Sequence, residues 1–160
     1  MPPLSDTELA TRLLTAAVLG AVLGFEREVR QKSAGLRTNI LIAVGSALFT
    51  LMSYELAADG NADPARVAAQ IVTGVGFLGA GAIMRTGSGI QGLTTAATVW
   101  VNAAVGVAAG GGEYHLAFIA TAVTLVALLV LTPVEHVIAR RFGNAEGDRP
   151  DRPREGGSHE

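Results

Sequence analysis

Five stretches of this 160-residue chain are long and apolar enough to cross a lipid bilayer, and that restricts the fold more than any other feature. A hydrocarbon core about 30 Å thick needs roughly 20 mostly apolar residues of helix. The stretches run from Leu9 to Phe25, Asn39 to Ala58, Val67 to Met84, Leu93 to Ala109 and Tyr114 to Thr132. Arg12 lies inside the first, near enough to its end to snorkel to the interface. Pro133 is expected to end the last span or kink it. Hydrophobic residues at 49%, charged residues at 16% and a mean hydropathy of +0.40 fit an integral membrane protein. The expected fold is all-α: a polytopic membrane bundle of five transmembrane helices over residues 1–139, followed by a cytoplasmic tail, 140–160. The Pro, Gly and charge content of that tail predicts disorder.

The charged residues orient the bundle. No Lys or Arg precedes Arg12, whereas the first loop carries Arg27, Arg30, Lys32 and Arg37. The second loop has Arg66 against Asp59 and Asp63, the third has Arg85 with no acid, the fourth has no Lys or Arg, and the tail is rich in arginine. This alternation satisfies the positive-inside rule with the N terminus outside and the C terminus in the cytoplasm, Arg66 being a minor exception. The opening residues carry Asp6 and Glu8 instead of a positive n-region, so the first apolar run reads as a retained helix. A net charge of -2 without a basic patch gives no reason to expect a nucleic-acid partner, and the absence of cysteine excludes disulfides and thiol chemistry.

The stretch "GFEREVRQKSAGLRTN", Gly24 to Asn39, holds six charged residues between apolar runs. Glu26 with Arg30 and Glu28 with Lys32 are i,i+4 pairs in the favourable order, so the first helix could run on to a stop at Gly35, with Thr38 or Asn39 capping the next. A solvated, topology-setting loop is one reading. The other notes that Glu26 and Arg27 begin where the apolar run ends, so near the hydrocarbon that partners inside the bundle are expected. Gly20 and Gly24 form a small-xxx-small pair.

In the third segment Gly74 and Gly81 fall on one helical face and Gly76 and Gly79 nearly opposite. Such a helix can be a central one, packed closely on both sides, or a broken one that offers backbone groups to an ion. In the fourth segment Thr94, Thr98 and Asn102 make a polar stripe, with Thr95 on the adjoining side, that serves either interhelical hydrogen bonds or a pathway. Gln70 is a similar case. His115, His136 and His159 stand apart, and no metal-ligand spacing or catalytic set is present in the sequence. Neither an enzyme nor a bound cofactor or metal is expected.

"GFEREVRQKSAGLRTNILIAVGSALF", "ARVAAQIVTGVGFLGAGAIMR" and "GLTTAATVWVNAAVGVAAG" resemble, in order and spacing, the three signature blocks of the MgtC/SapB family of membrane proteins. The resemblance implies five membrane helices in the bacterial cytoplasmic membrane. It also implies a role in growth under magnesium limitation and survival inside macrophages, exerted by restraining the F-type ATP synthase and not by carrying magnesium. The motif positions it marks are Glu26, Arg27, Gly35, Leu36, Arg37, Thr38, Arg66, Gln70, Gly74, Gly76, Phe77, Gly79, Gly81, Gly92, Leu93, Thr95, Ala96 and Trp100. Thr94 stands where some virulence-associated members have asparagine. Longer members add a soluble cytoplasmic domain, whereas a polar tail follows the fifth segment here.

Two functions follow as expectations. One is a non-enzymatic regulatory membrane protein acting within the bilayer on another membrane complex, through Glu26, Arg27 and Arg37 together with Thr94, Thr98 and Asn102. The other is a small cation (magnesium) channel or transporter built on a broken third helix, with a homodimer enlarging the pathway.

Overall fold

The computed structural model describes residues 4–57, 63, 65–86 and 89–142, with only the backbone of Thr86 and of 132–142. Five helices follow one another: α1 (Asp6–Val29), α2 (Leu36–Ala57), α3 (Ala65–Gly81), α4 (Leu93–Gly110) and α5 (Tyr114–Phe142). Between α3 and α4 lies an antiparallel hairpin of β1 (Met84–Thr86) and β2 (Gly89–Gln91), in register Met84 to Gln91. The chain divides into two compact units, Met1–Leu125 and Val126–Glu160; within the described residues the second is the continuation of α5. That helix runs through Pro133 to Phe142, and the remainder of the expected tail lies outside the described residues.

Helices α1, α2, α4 and the Tyr114–Leu131 part of α5 are long and apolar enough to cross a membrane. Helix α3 is shorter: its 17 residues span about 26 Å at 1.5 Å per residue. The expected third span was to reach Met84, but the helix stops at Gly81 and the chain turns into the hairpin. The reason is local, since "MRTGSGIQ" puts Gly87 and Ser88 between two short extended runs, a hairpin signal that outweighs the apolar count.

Burial is inverted relative to a water-soluble core. Phe25, Leu41, Phe77, Val123 and Leu131 are all more than half exposed, whereas the buried set is dominated by Ala, Gly, Ser, Thr and Asn. In lipid, large apolar side chains gain nothing by leaving the surface, and small residues that let backbones approach hold helices together. A Cβ on Gly20 would lie 2.8 Å from the Asn39 carbonyl oxygen, and one on Gly24 2.8 Å from Leu36 Cα. On the other side of α2, a Cβ on Gly110 would lie 2.6 Å from the Ala47 oxygen, and one on Gly106 would collide with the Ala43 oxygen. Thus α1 runs antiparallel to α2, and α4 runs parallel to it. Arg12 Nη1 donates to the Gly110 oxygen (2.9 Å) at one end of α1, and Arg27 meets Thr95 at the other. The α1–α2 connection and the hairpin with Arg85 therefore share one end, the alternation that the charge pattern requires.

The glycine pattern of α3 allows a central helix or a broken one, and the structure corrects both. Helices α2 and α4 are the central pair, with α1 against both, and α3 reaches the bundle chiefly through α4. Ile71 and Val75 join Ile42, Val99 and Ala103 in a small cluster. Only Gly79 meets a neighbour, at 3.5 Å from the Ala96 oxygen; at Gly74, Gly76 and Gly81 an added Cβ would find open space. Helix α3 is also unbroken from Ala65 to Gly81.

Candidate functional site: a polar node where three helices meet

The stripe of α1 that packs inward, Ala16, Leu19, Gly20, Leu23 and Gly24, continues at helical spacing to Glu26 and Arg27, because α1 does not stop where the hydrophobic run stops. Arg27 is consequently carried into the bundle, at 3% exposure, and Glu26 at 7%. Arg27 Nη2 donates to Thr95 Oγ1 on α4 at 2.7 Å. Arg30 Nε stands 2.7 Å from Glu26 Oε1, an ion pair too oblique for a hydrogen bond, and Arg27 Nη1 stands 3.9 Å from Glu26 Oε2. Two cations thus flank one buried carboxylate, which keeps a charge in a place where an unpaired one would be costly.

The connection to α2 is built differently from the sequence expectation. Helix α1 ends at Val29, well short of Gly35, with Gln31 in the left-handed region (φ 55°) and Lys32 N donating back to the Arg27 oxygen. Glu28 does not serve Lys32; its Oε2 accepts from Leu36 N at 3.0 Å and caps the first turn of α2 in place of Thr38 or Asn39. A Cβ on Gly35 would run into that carboxylate, so a larger residue there would have to move the Glu28 side chain off its cap.

One turn into α2, Asn39 is fully buried and its Nδ2 donates to the Ala34 and Gly35 oxygens at 2.8 and 2.9 Å. Asn102 of α4, also fully buried, donates from Nδ2 to the Asn39 carbonyl at 2.7 Å, the same oxygen against which Gly20 packs. Helices α1, α2 and α4 therefore converge on Asn39. Oδ1 of both asparagines, both Glu26 oxygens and Arg27 Nε lack a hydrogen bond. Gly92, at φ 89°, starts α4 beside the Ala82 carbonyl, where a Cβ would clash; no other residue type suits both constraints.

The expected site residues divide. Glu26, Arg27, Thr95, Thr98 and Asn102 are buried, with Thr98 Oγ1 donating to its own helix at the Thr94 oxygen. Thr94 itself is exposed, so the inward stripe is Thr95, Thr98 and Asn102. Arg37, Thr38, Arg66 and Gln70 are exposed, as is Trp100 at 50%. Arg37 is not brought to Glu26 and Arg27. Sequence reasoning missed Asn39 as a junction and the Gly106/Gly110 and Ala43/Ala47 pairs, whose small-xxx-small spacing was a readable signal. Among the described residues no group of three or more His, Cys, Asp or Glu could hold a metal ion.

Apolar helices of spanning length, an exterior of large hydrophobic residues and an interior of glycines and hydrogen-bonded amides define a multi-pass membrane protein. Within that class the comparisons are specific. The family model described as MgtC family matches residues 13–137, and the chain belongs to that family. It is 47% identical over 137 residues to Protein MgtC of Salmonella choleraesuis (strain SC-B67), covering 86% of this chain and 58% of that one. The values are the same for Protein MgtC of Salmonella typhimurium (strain LT2). Protein MgtC of Brucella abortus (strain 2308) is 47% identical over 136 residues, covering 85% and 56%. The chain thus spans little more than half the length of these relatives. No solved structure matches it.

Proposed function

We propose that the protein is a non-enzymatic regulator in the bacterial cytoplasmic membrane that acts by contact with another membrane complex. The observation that carries this reading is the division of the motif residues. Those facing inward tie α1, α2 and α4 to one another, through Arg27 to Thr95 and Asn102 to the Asn39 carbonyl, instead of lining an open path. Those facing outward, Arg37, Thr38, Thr94 and Trp100, have no side-chain hydrogen bond among the described residues and are available to a partner. The family resemblance nominates the F-type ATP synthase as that partner and magnesium limitation as the setting.

The test is capture from solubilised bacterial membranes with the full chain as bait. Wild type should retain a membrane complex, and Arg37→Ala should retain several-fold less while melting as wild type does. Equal capture by both forms removes Arg37 from the mechanism. Magnesium flux in proteoliposomes that Asn102→Ala alters would replace this reading with transport.

A further inference from the structure

Helices α2 and α3 do not close on each other. Between them runs a cavity of about 630 Å³, almost wholly apolar, on whose walls lie Gly45, Phe49, Ile71, Gly74, Val75 and Leu78. The glycines make it wide: neither Gly45 nor Gly74 has anything within 4 Å of where its Cβ would be. The rim is open, with Leu41 71%, Phe49 58% and Leu78 54% exposed. The volume lies within the range of about 300–1,000 Å³ typical of ligand pockets. Along α2 the cavity extends from Thr38 to Phe49 and along α3 from Val67 to Leu78. Each stretch is about 16 Å at 1.5 Å per residue, and the slot runs from the α3 N-terminal end towards the α1–α2 connection.

At the α3 N-terminal end a second cavity of about 320 Å³ adjoins the first, sharing Val67 and Gln70, and here the lining turns polar. Asp63 and Arg66 both line it. Asp63 Oδ1 accepts from Ala65 N at 2.9 Å, which fixes the carboxylate at the mouth. Arg66 is exposed and has no ion-pair partner among the described residues. One cation and one anion at the mouth of a long apolar slot complement a zwitterionic head group above a hydrocarbon chain. Guanidinium pairs well with a phosphodiester and carboxylate with a primary ammonium.

We infer that the α2–α3 groove is a binding site for one phospholipid of the phosphatidylethanolamine class, an acyl chain in the slot, its phosphate at Arg66 and its ammonium at Asp63. This makes Arg66 and Gln70, motif positions that the polar node leaves unused, the upper wall of a lipid site. It also gives Gly45 and Gly74 a use that helix packing does not.

The experiment uses the full chain in nanodiscs containing phosphatidylethanolamine with a photoactivatable diazirine on one acyl chain, with labelled sites mapped by mass spectrometry. Labelling should concentrate on Gly45, Phe49, Gly74 and Leu78 several-fold above Leu14 and Val18, which are exposed but line neither cavity. Gly45→Leu with Gly74→Leu should bring the groove down to the Leu14 level. Arg66→Ala, an exposed change that cannot disturb packing, should lower groove labelling while leaving Leu14 labelling unchanged, and phosphatidylglycerol should compete less well than phosphatidylethanolamine. Uniform labelling of all faces, or groove labelling indifferent to both variants, overturns the site. So does a disulfide-linked dimer formed by a Phe49→Cys variant of this cysteine-free chain, which would give the groove to a second copy.

Discussion

The seam between α2 and α4 and the seam between α2 and α3 use the same kind of residue to opposite ends. In the first, Gly106 and Gly110 bring α4 onto the backbone of α2 at Ala43 and Ala47, with no room for a methyl group. In the second, Gly45 and Gly74 face each other's helices across open space. A glycine in a membrane helix is therefore ambiguous: it can mark the tightest contact or the widest gap. Neighbours decide between the two. The tight seam has Ala43, Ala47 and the fully buried Asn102 around it, whereas the open seam is rimmed by Leu41, Phe49 and Leu78.

Substitutions that treat the two seams alike should break the symmetry most sharply. Gly106→Leu must displace the α2 backbone, a cost above the ~1–3 kcal/mol usual for overpacking, and should yield little monodisperse protein on gel filtration. Arg27→Ala comes next: it leaves the buried Glu26 with Arg30 alone and Thr95 without its donor. A loss of about 3 kcal/mol, the low end for a broken buried ion pair, should appear in unfolding from detergent micelles. Asn102→Leu removes one interhelical hydrogen bond on the tight side and should cost about 0.6–1.7 kcal/mol in the same assay. Gly74→Leu should cost least, since its side chain enters open space; a loss as large as that of Gly106→Leu would mean that α3 packs as tightly as α4.

The helical architecture was legible because lipid imposes a length and a polarity on each span, and because loop charge alternates. The burial of Glu26 and Arg27 was legible in part, from charges placed right at the end of an apolar run. What was hidden depends on which side of a helix faces inward. Helix α2 is apolar nearly all round, so periodicity says nothing of its partners, and the richer glycine content of α3 pointed to the wrong central helix. Asn39 was hidden for a related reason. At the start of an apolar run an asparagine looks like a helix cap, and only Asn102, 63 residues later, makes it a junction. Thr94 and Thr98 share a stripe in projection, yet Thr94 is exposed in the first turn of α4, where the next residue, Thr95, is the one that Arg27 covers.

The bond from Arg12 to the Gly110 carbonyl joins residues 98 positions apart, and that separation sets an order of events during synthesis. At about 5–20 residues per second, α1 is made some 5–20 s before the acceptor for its arginine exists. Until then the guanidinium has Glu8, one turn away at 2.6 Å, as its local partner, so the first helix can enter the bilayer with its charge already accompanied. The clamp closes only when α4 is complete. A chain truncated before Gly110 would keep the escort and lack the lock.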